Sequence, residues 1–327
     1  MQANKRRLLA AAAALVAGTW VGTGHAQGSY PDKPVKLVVG YAPGTAPDVL
    51  ARLVSDRLGQ ALKQQVVVDN RAGAGGQIAA QTVAKSPADG YTLLLGEAGS
   101  ISIAPAAFSK LPYDPTKELV GVGELCKVDF VMVVPANSPH KTVADFVKAA
   151  KAQADKTNIA TFGAGTPGHF GAELLAEAGG FKVEPVHYRA TGDAVTAIVS
   201  GDVAGSFVST ALGAAQIKGG KMRALATTAP QRSPLLPDVP TFAESGLPKV
   251  DVSTWFAVLA PAGTPAPVLD LLNKQLQATL RLPDVQAKMV EAGFSVSASS
   301  RADTDKLIKS EGQRWAGLVK ATGFKGD

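Results

Sequence analysis

The feature that most constrains this chain is a regular alternation of short β-rich runs with alanine-rich helical stretches. Residues 35–39, 66–69, 91–95 and 130–134 read as strands, while 48–62 and 76–85 read as helices, the second ended by Ser86-Pro87. Repeated strand–helix units imply parallel sheet covered by helices, because a parallel neighbour is reached only through a crossover. After Pro135 the pattern restarts: 142–154, 168–178 and 194–200 as helices, and 158–162, 183–188, 203–209 and 222–227 as strands. Prolines 230, 234, 237 and 240 then precede the apolar run 255–259 and the turn Pro261-Ala-Gly-Thr-Pro265. Helical periodicity closes the chain in Val268, Leu271, Leu272, Leu276 and Leu280, and again in Leu307, Ile308, Trp315 and Leu318. The expected organisation is a discontinuous first domain, 27–127 plus 251–327, completed by these returning helices, and a second domain over 128–250.

Lys5-Arg6-Arg7 precedes the apolar run from Leu8 to Ala17, and Gly24-His25-Ala26 supplies small residues at cleavage positions. This is the pattern of a secretory signal peptide over 1–26; a membrane anchor needs roughly 20 apolar residues. Removal leaves 301 residues (327 less 26) and lowers the formal charge from +6 to +3, since the leader holds three cations and no acid. The remaining Lys and Arg are scattered, which gives no nucleic-acid footprint. Cys126 is the single cysteine. No intramolecular disulfide can form, and Cys126 is expected to be a buried structural thiol. The fold must rest on its core, which about 300 residues can supply.

Three glycine-rich turns follow predicted strands. In the first, Val39-Gly-Tyr41 runs through Pro43, Gly44, Thr45, Ala46 and Pro47 to Asp48, where a helix begins; Asp48 and Thr45 are alternative caps. A strand, a short turn and a helix N-terminus can hold a small anion without a cationic side chain. The second, Gly163-Ala-Gly165-Thr166-Pro-Gly168, is a literal G-x-G-x-x-G, but its proline and its mid-chain place argue against a dinucleotide. Its amides suit a smaller anion, with Thr166 and His169 at the mouth; either residue equally serves only to cap or pack the helix start. The third, Arg71-Ala-Gly-Ala-Gly-Gly76, lacks the Gly-Lys-Ser/Thr ending that nucleotide hydrolysis requires. Ser100, Tyr188, Arg189 and Thr191 lie in two further loops at strand ends, Arg189 being equally suited to a solvated surface.

Enzyme signatures are missing. Outside the leader the histidines are His140, His169 and His187, which form no H-E-x-x-H or other metal spacing, and no G-x-S-x-G elbow is present. No catalytic residue, metal or cofactor is assigned.

Several segments carry a family resemblance: Tyr30-Pro-Asp-Lys-Pro34, the turn from Tyr41 to Asp48, Asp69-Asn-Arg-Ala-Gly-Ala-Gly-Gly76 and Ala88-Asp-Gly-Tyr-Thr92, then Tyr113-Asp-Pro115, Gly163-Ala-Gly-Thr166 with His169, Arg223-Ala-Leu-Ala226, Leu236-Pro-Asp-Val-Pro-Thr241 and Pro261-Ala-Gly-Thr-Pro265. In this order they span the mature chain, which resembles the tripartite tricarboxylate transporter substrate-binding proteins, the TctC or Bug family. The resemblance implies a type II periplasmic binding protein, two α/β domains with a ligand cleft between them. It implies a small organic acid held partly through backbone amides and bridging waters, and delivery to the membrane subunits of a tripartite transporter. Carried over, the ligand contacts are Tyr41, Gly44, Thr45, Ala46, Asp48 and Ser100 in the first domain, and Gly165, Thr166, His169, Tyr188, Arg189, Ser209 and Thr210 in the second. Departures occur at Thr45 and Pro47, where the family reads Pro-Gly-Gly before the aspartate, at Arg189-Ala190 in place of Lys-Gly, and at Gly201-Asp-Val-Ala204 in place of Gly-Gln-Val-Asp. These unsettle the ligand preference rather than the fold. A sensor component engaging a membrane histidine kinase, and less so an exported enzyme, are the alternative functions.

Overall fold

Val35–Val39 (β1) is buried at every position but Lys36, the pattern of a strand covered on both faces. It lies parallel between Val66–Asn70 (β2) and Thr92–Glu97 (β3), with Val39 opposite both Asn70 and Leu95. The connecting helices are Ala46–Leu62 (α1) and Gln77–Ala84 (α2). This computed structural model describes residues 30–188 and 190–326; the expected leader and Arg189 lie outside the described residues.

Leu119–Val128 (β4) leads through Asp129 into Phe130–Pro135 (β5), the first strand of a second sheet. That sheet continues through Val143–Ala152 (α3), Thr157–Thr161 (β6), Pro167–Gly179 (α4), Val183–His187 (β7), Thr191–Ser200 (α5), Gly205–Ser209 (β8), Thr210–Lys218 (α6) and Met222–Thr227 (β9). The chain then returns to the first sheet as Thr254–Pro261 (β10), Ala266–Leu280 (α7), Pro283–Glu291 (α8), Ser295–Val296 (β11) and Arg301–Thr322 (α9). The sheet orders are β11-β4-β10-β3-β1-β2 and β7-β6-β8-β5-β9. In each sheet a central parallel strand, β1 or β6, is flanked by two parallel neighbours. The strand order therefore reverses beside β1 and beside β6, where open sheets form a crevice.

The alternation of strands and helices is as the sequence predicts, with shifts of one to three residues at ends. α1 begins two residues early because Pro47 falls in its first turn, where a missing N–H costs nothing. α6, α8 and β11 were not anticipated, and neither was β4. Gly121 and Gly123 depress its strand signal, yet helices packed on the sheet require them: a Cβ on Gly121 would lie 2.8 Å from Thr304 Cγ2 of α9, and one on Gly123 would lie 3.0 Å from Leu276 Cδ2 of α7.

From Lys33 onward the chain packs as one compact unit. Its largest apolar cluster unites Val38 and Trp255 of the first sheet with Phe207 of the second, Phe170 of α4, Phe242 of the turn beyond β9 and Trp315 of α9. Each such aromatic, essentially sealed from water, contributes about 2–3 kcal/mol of transfer free energy. Cys126 is buried as a free thiol, as expected. The two crossings between the sheets meet at one polar knot. Ser253 Oγ donates to the Asp129 carboxylate (2.7 Å), Phe130 N–H donates to Thr228 Oγ1 (2.9 Å), and Arg314 of α9 donates to the carbonyls of Asp251 and Ser253 (3.2 and 2.8 Å). Burial pushes the Asp129 carboxyl upward against the Ser253 bond.

Candidate functional site

The loop leaving β1 is drawn tightly to the loop after β2: a Cβ on Gly40 would lie 2.6 Å from Gly76 Cα. Beyond Tyr41 the chain reverses at Gly44, whose φ of +82° favours glycine. Thr45 occupies the cap position of α1 without a side-chain capping bond; its hydroxyl turns back and donates to the Ala42 carbonyl (2.7 Å). Asp48, in the first helical turn, closes the loop instead. Its carboxylate accepts Gly44 N–H (2.8 Å), Asn70 Nδ2 (2.9 Å) and Arg52 Nε (3.0 Å), while Asn70 Nδ2 also donates to the Tyr41 carbonyl (3.0 Å). The Arg52 bond, ahead of the Gly44 and Asn70 bonds, holds the Asp48 carboxyl down at about 2 although burial opposes it.

The loop leaving β6 repeats this construction. Gly165 has φ +71°, Thr166 caps α4, the Thr166 hydroxyl donates to the Gly163 carbonyl (2.8 Å), and Gly165 N–H donates to His169 Nδ1 (3.1 Å). In both turns a threonine hydroxyl bonds the carbonyl three residues back, and a glycine amide bonds the side chain four residues ahead. Gly44, Thr45 and Asp48 thus correspond to Gly165, Thr166 and His169. The acceptors differ in charge. His169 is 6 % exposed and packed against the rings of His187, Phe170 and Phe324. Burial, then the His187 charge, lowers it to about 4, so the ring is neutral at pH 7. That state suits an Nδ1 that accepts a hydrogen bond.

These side chains serve their own turns, which leaves the first-turn amides for a ligand. Neither Ala46 and Asp48 in α1 nor Gly168 in α4 has a carbonyl partner for its N–H within its helix, and the partial positive charge of the N-terminus adds to them. An arrangement of this kind has the chemistry to receive a small anion such as a carboxylate.

The loop after β3 holds a group that sequence reasoning passed over. Glu97, at the end of β3, accepts the Gly99 and Ser100 amides (2.5 and 2.8 Å) and hydrogen-bonds the hydroxyls of Ser100 and Tyr41. Burial raises its pKa against these bonds. Tyr41, raised by burial and by the Glu97 charge, and Ser100 therefore both attend to Glu97, and Tyr113 fixes the same loop by donating to the Ser100 carbonyl (2.6 Å). Glu97 lies three residues before Ser100, which the sequence places in a strand-end loop; an acid ending an apolar strand was the available signal.

In the second sheet Ser209 caps α6 by accepting Leu212 N–H (3.4 Å). Thr210 is buried and donates through both N–H and hydroxyl to the Asp129 carbonyl (3.1 and 3.0 Å), tying the end of β8 to the crossing. Tyr188 is half-buried, and its N–H donates to the Thr161 carbonyl (3.0 Å). No group of three or more His, Cys, Asp or Glu suited to a metal occurs among the described residues. A groove of about 770 Å³ lies elsewhere, beside β9 between Lys141, Arg223, Asp238 and Glu244, and contains none of the nominated residues. Strand ends and unpaired amides, rather than its volume, locate the candidate site.

Known proteins resemble this chain in sequence and in fold. Protein BugT of Bordetella pertussis is 33 % identical over 98 % of this chain and 99 % of its own. A Rhodopseudomonas palustris protein solved with adipate superposes with a TM-score of 0.83 at 31 % identity, covering 90 % of this chain and 99 % of that one. MatC from Rhodopseudomonas palustris, solved with bound malate, superposes with a TM-score of 0.78 at 31 % identity, covering 89 % and 100 %. The α/β periplasmic-binding-protein fold expected from the sequence is therefore the fold of this chain. The family model for the tripartite tricarboxylate transporter family receptor, TctC, matches residues 50–324, and this chain belongs to that family.

Proposed function

We propose that this protein is a periplasmic receptor that captures a small organic acid between the strand ends of its two sheets and delivers it to the membrane subunits of a tripartite tricarboxylate-type transporter. The observation that carries the proposal is the repeated glycine–threonine turn, which sets a helix N-terminus with unpaired amides at the end of β1 and again at the end of β6. Relatives solved with adipate and malate support a carboxylate as cargo. Contacts come from 41–48 and Ser100 on one side, and from 165–169, Tyr188-Arg189 and Ser209-Thr210 on the other. Closure bends the Asp129–Ser253 knot and brings the two half-sites together. Asp48 and His169 set the turns, the amides hold the carboxylate, and no bond is made or broken. Residues 1–26 act as the export signal. No helix among the described residues is long and apolar enough to cross a membrane, which agrees with a receptor free of the bilayer.

Calorimetric titration with mono-, di- and tricarboxylates, together with mass spectrometry of small molecules released on denaturation, tests the proposal. One saturable site for a carboxylate is expected, with ligand-induced protection of the 41–48 and 163–169 amides from hydrogen exchange. Absence of saturable binding across the panel, with nothing released on denaturation, refutes it.

A further inference from the structure

The two ligand turns share a construction but not a lock. No described atom lies within 4 Å of the place that a Cβ on Gly44 would take, and that turn is held by the charge of Asp48 against Arg52. On Gly165 the same place is occupied: a Cβ there would lie 3.0 and 3.1 Å from Cε1 and Cζ of Phe324. The Phe324 ring also meets His169 edge-on at 5.1 Å and Phe170 at 5.7 Å, so that Trp315, Phe170, Phe324, His169 and His187 form one run of ring contacts. Phe324 arrives from the far end of the sequence. α9 stops at Gly323, whose φ of +66° turns the chain out of the helix, and two residues beyond the ring Gly326 N–H donates to the Ala107 carbonyl (2.8 Å). Ala107 closes the helical turn Ala104–Ala107 that follows the β3 loop. Residues 323–326 therefore form a strap, seated on the β6 turn by its ring and tied beyond β3 by the Gly326 amide.

We infer that Phe324 is a positioning residue for the ligand turn that leaves β6: the strap seats its ring against Gly165 and His169, and the ring keeps water from the hydrogen bond between Gly165 N–H and His169 Nδ1 that shapes the turn. The inference rests on the carboxylate-receptor reading for its effect on affinity. A neutral His169 lacks the ion pair that secures Asp48, so its bond to Gly165 depends on the exclusion of water and protons. Imidazolium carries hydrogen on both ring nitrogens and cannot accept Gly165 N–H. The charged groups around the ring act in both directions. His187 of β7, its Nδ1 bonded to Thr161 Oγ1 (2.6 Å), opposes a second cation, whereas Glu173 of α4, 3.8 Å from Nε2, favours one. Glu184 of β7 is held by Lys156, and Lys325 follows the ring along the strap. Burial is the largest influence holding His169 neutral, and among the described rings against it Phe324 is the one brought from outside the second sheet and its helices. Removing that ring lets water reach Nδ1 and leaves Glu173 to draw a proton onto the imidazole. The turn then loses its internal bond, and the first-turn amides of α4 are no longer pre-set for a carboxylate.

The test compares the wild type with Phe324→Ala, with Phe324→Leu, which refills much of the space, and with Gly326→Pro, which keeps the ring but strips the donor to Ala107. NMR titration of the His169 ring in the ligand-free proteins is the primary readout, with hydrogen exchange of the Gly165 amide beside it. Half-protonation of wild-type His169 is expected at about pH 4. Phe324→Ala is expected to raise it by about one pH unit and to speed Gly165 exchange about tenfold; Phe324→Leu should restore most of both, and Gly326→Pro should move both in the direction of Phe324→Ala. Calorimetry at pH 7 with adipate and malate should show affinity about fivefold lower in Phe324→Ala for whichever acid the wild type binds. A Phe324→Ala protein that loses stability in urea while His169 and Gly165 behave as in the wild type makes the ring mere packing and overturns the inference, as does an unchanged affinity where His169 has shifted. Should Phe324→Ala fail to fold, Gly326→Pro decides, an unshifted His169 there overturning the strap. If no carboxylate binds the wild type, the receptor reading falls, while the His169 titration still decides whether Phe324 holds the turn.

Discussion

Replacing Asp48 tests whether one carboxylate holds the first turn. Asp48 is 3 % exposed, and its carboxyl sits at about 2 against an ordinary value of 3.8, chiefly through Arg52. At 1.36 kcal/mol per pH unit, this difference of about 1.8 units corresponds to about 2.4 kcal/mol of folding free energy. Arg52 is 56 % exposed, so water screens the pair and about 1–1.5 kcal/mol is the expected share. Because the folded pKa lies below the unfolded one, this stabilisation is complete above about pH 4 and is lost as pH falls toward 2, with about half gone by pH 3. Asp48→Asn removes the charge; Asp48→Ala also strips the acceptor from Gly44 N–H and Asn70 Nδ2, adding about 1 kcal/mol for each bond.

Urea unfolding followed by tryptophan fluorescence measures these quantities, since Trp255 and Trp315 are both buried. At pH 7 the expected losses are about 1–1.5 kcal/mol for Asp48→Asn and about 3 kcal/mol for Asp48→Ala, with unchanged urea dependence. The Asp48→Asn deficit should shrink between pH 4.5 and pH 3. An Asp48→Asn protein as stable as wild type at pH 7, or one with a deficit independent of pH, refutes the assignment of the turn to this ion pair. Carboxylate affinity should fall in step with the deficit, although Asp48 makes its bonds within the turn.

His169 gives the opposite turn its own pH window: its folded pKa of about 4 lies below the unfolded 6.5, so stability is lost as pH falls from 6.5 toward 4. Between pH 7 and pH 5 the wild type should lose about 1–2 kcal/mol more than His169→Asn, whose side-chain oxygen can replace Nδ1 toward Gly165 N–H; parallel urea midpoints for the two proteins across this range would exclude a neutral, buried His169. Gly40→Ala drives a Cβ into the Gly76 backbone and should cost about 1–3 kcal/mol. Gly44→Ala meets no atom within 4 Å and pays only for its positive φ, about 1 kcal/mol. Urea midpoints in which Gly44→Ala is the more damaged of the two would contradict this ranking.

Much of the fold was legible because each strand–helix unit is self-describing: apolar runs such as Leu37-Val-Val39 stop at glycine or proline, and a helical period resumes. β4 was not legible, since Gly121 and Gly123 are chosen by Thr304, Asp305 and Leu276, residues more than 150 positions away in sequence. The same limit applied to the site. Local spacing exposed the turns at Gly44 and Gly165, but nothing local shows that Asn70 braces Tyr41 and Asp48 together, or that Tyr41, Ser100 and Tyr113 converge around Glu97. Long-range convergence turned residues nominated as ligand contacts into supports for one another.

The paired turns show where sequence carried more than was taken from it. Ala42-Pro-Gly-Thr-Ala-Pro-Asp48 and Gly163-Ala-Gly-Thr-Pro-Gly-His169 align position by position: Gly-Thr, then proline within two residues, then a polar side chain three after the threonine. Each constant element has a physical task. Glycine takes the positive φ, threonine secures the carbonyl three residues back, proline starts the helix without needing a donor, and the final side chain returns to the glycine amide. The variable element is the charge at that final position. Asp48 must be neutralised by Arg52 from its own helix, whereas a neutral His169 needs no counter-ion and is sealed by aromatic rings instead. Both solutions leave the first-turn amides of α1 and α4 without carbonyl partners in their own helices, so that the two turns differ in charge but present the same positive helix end.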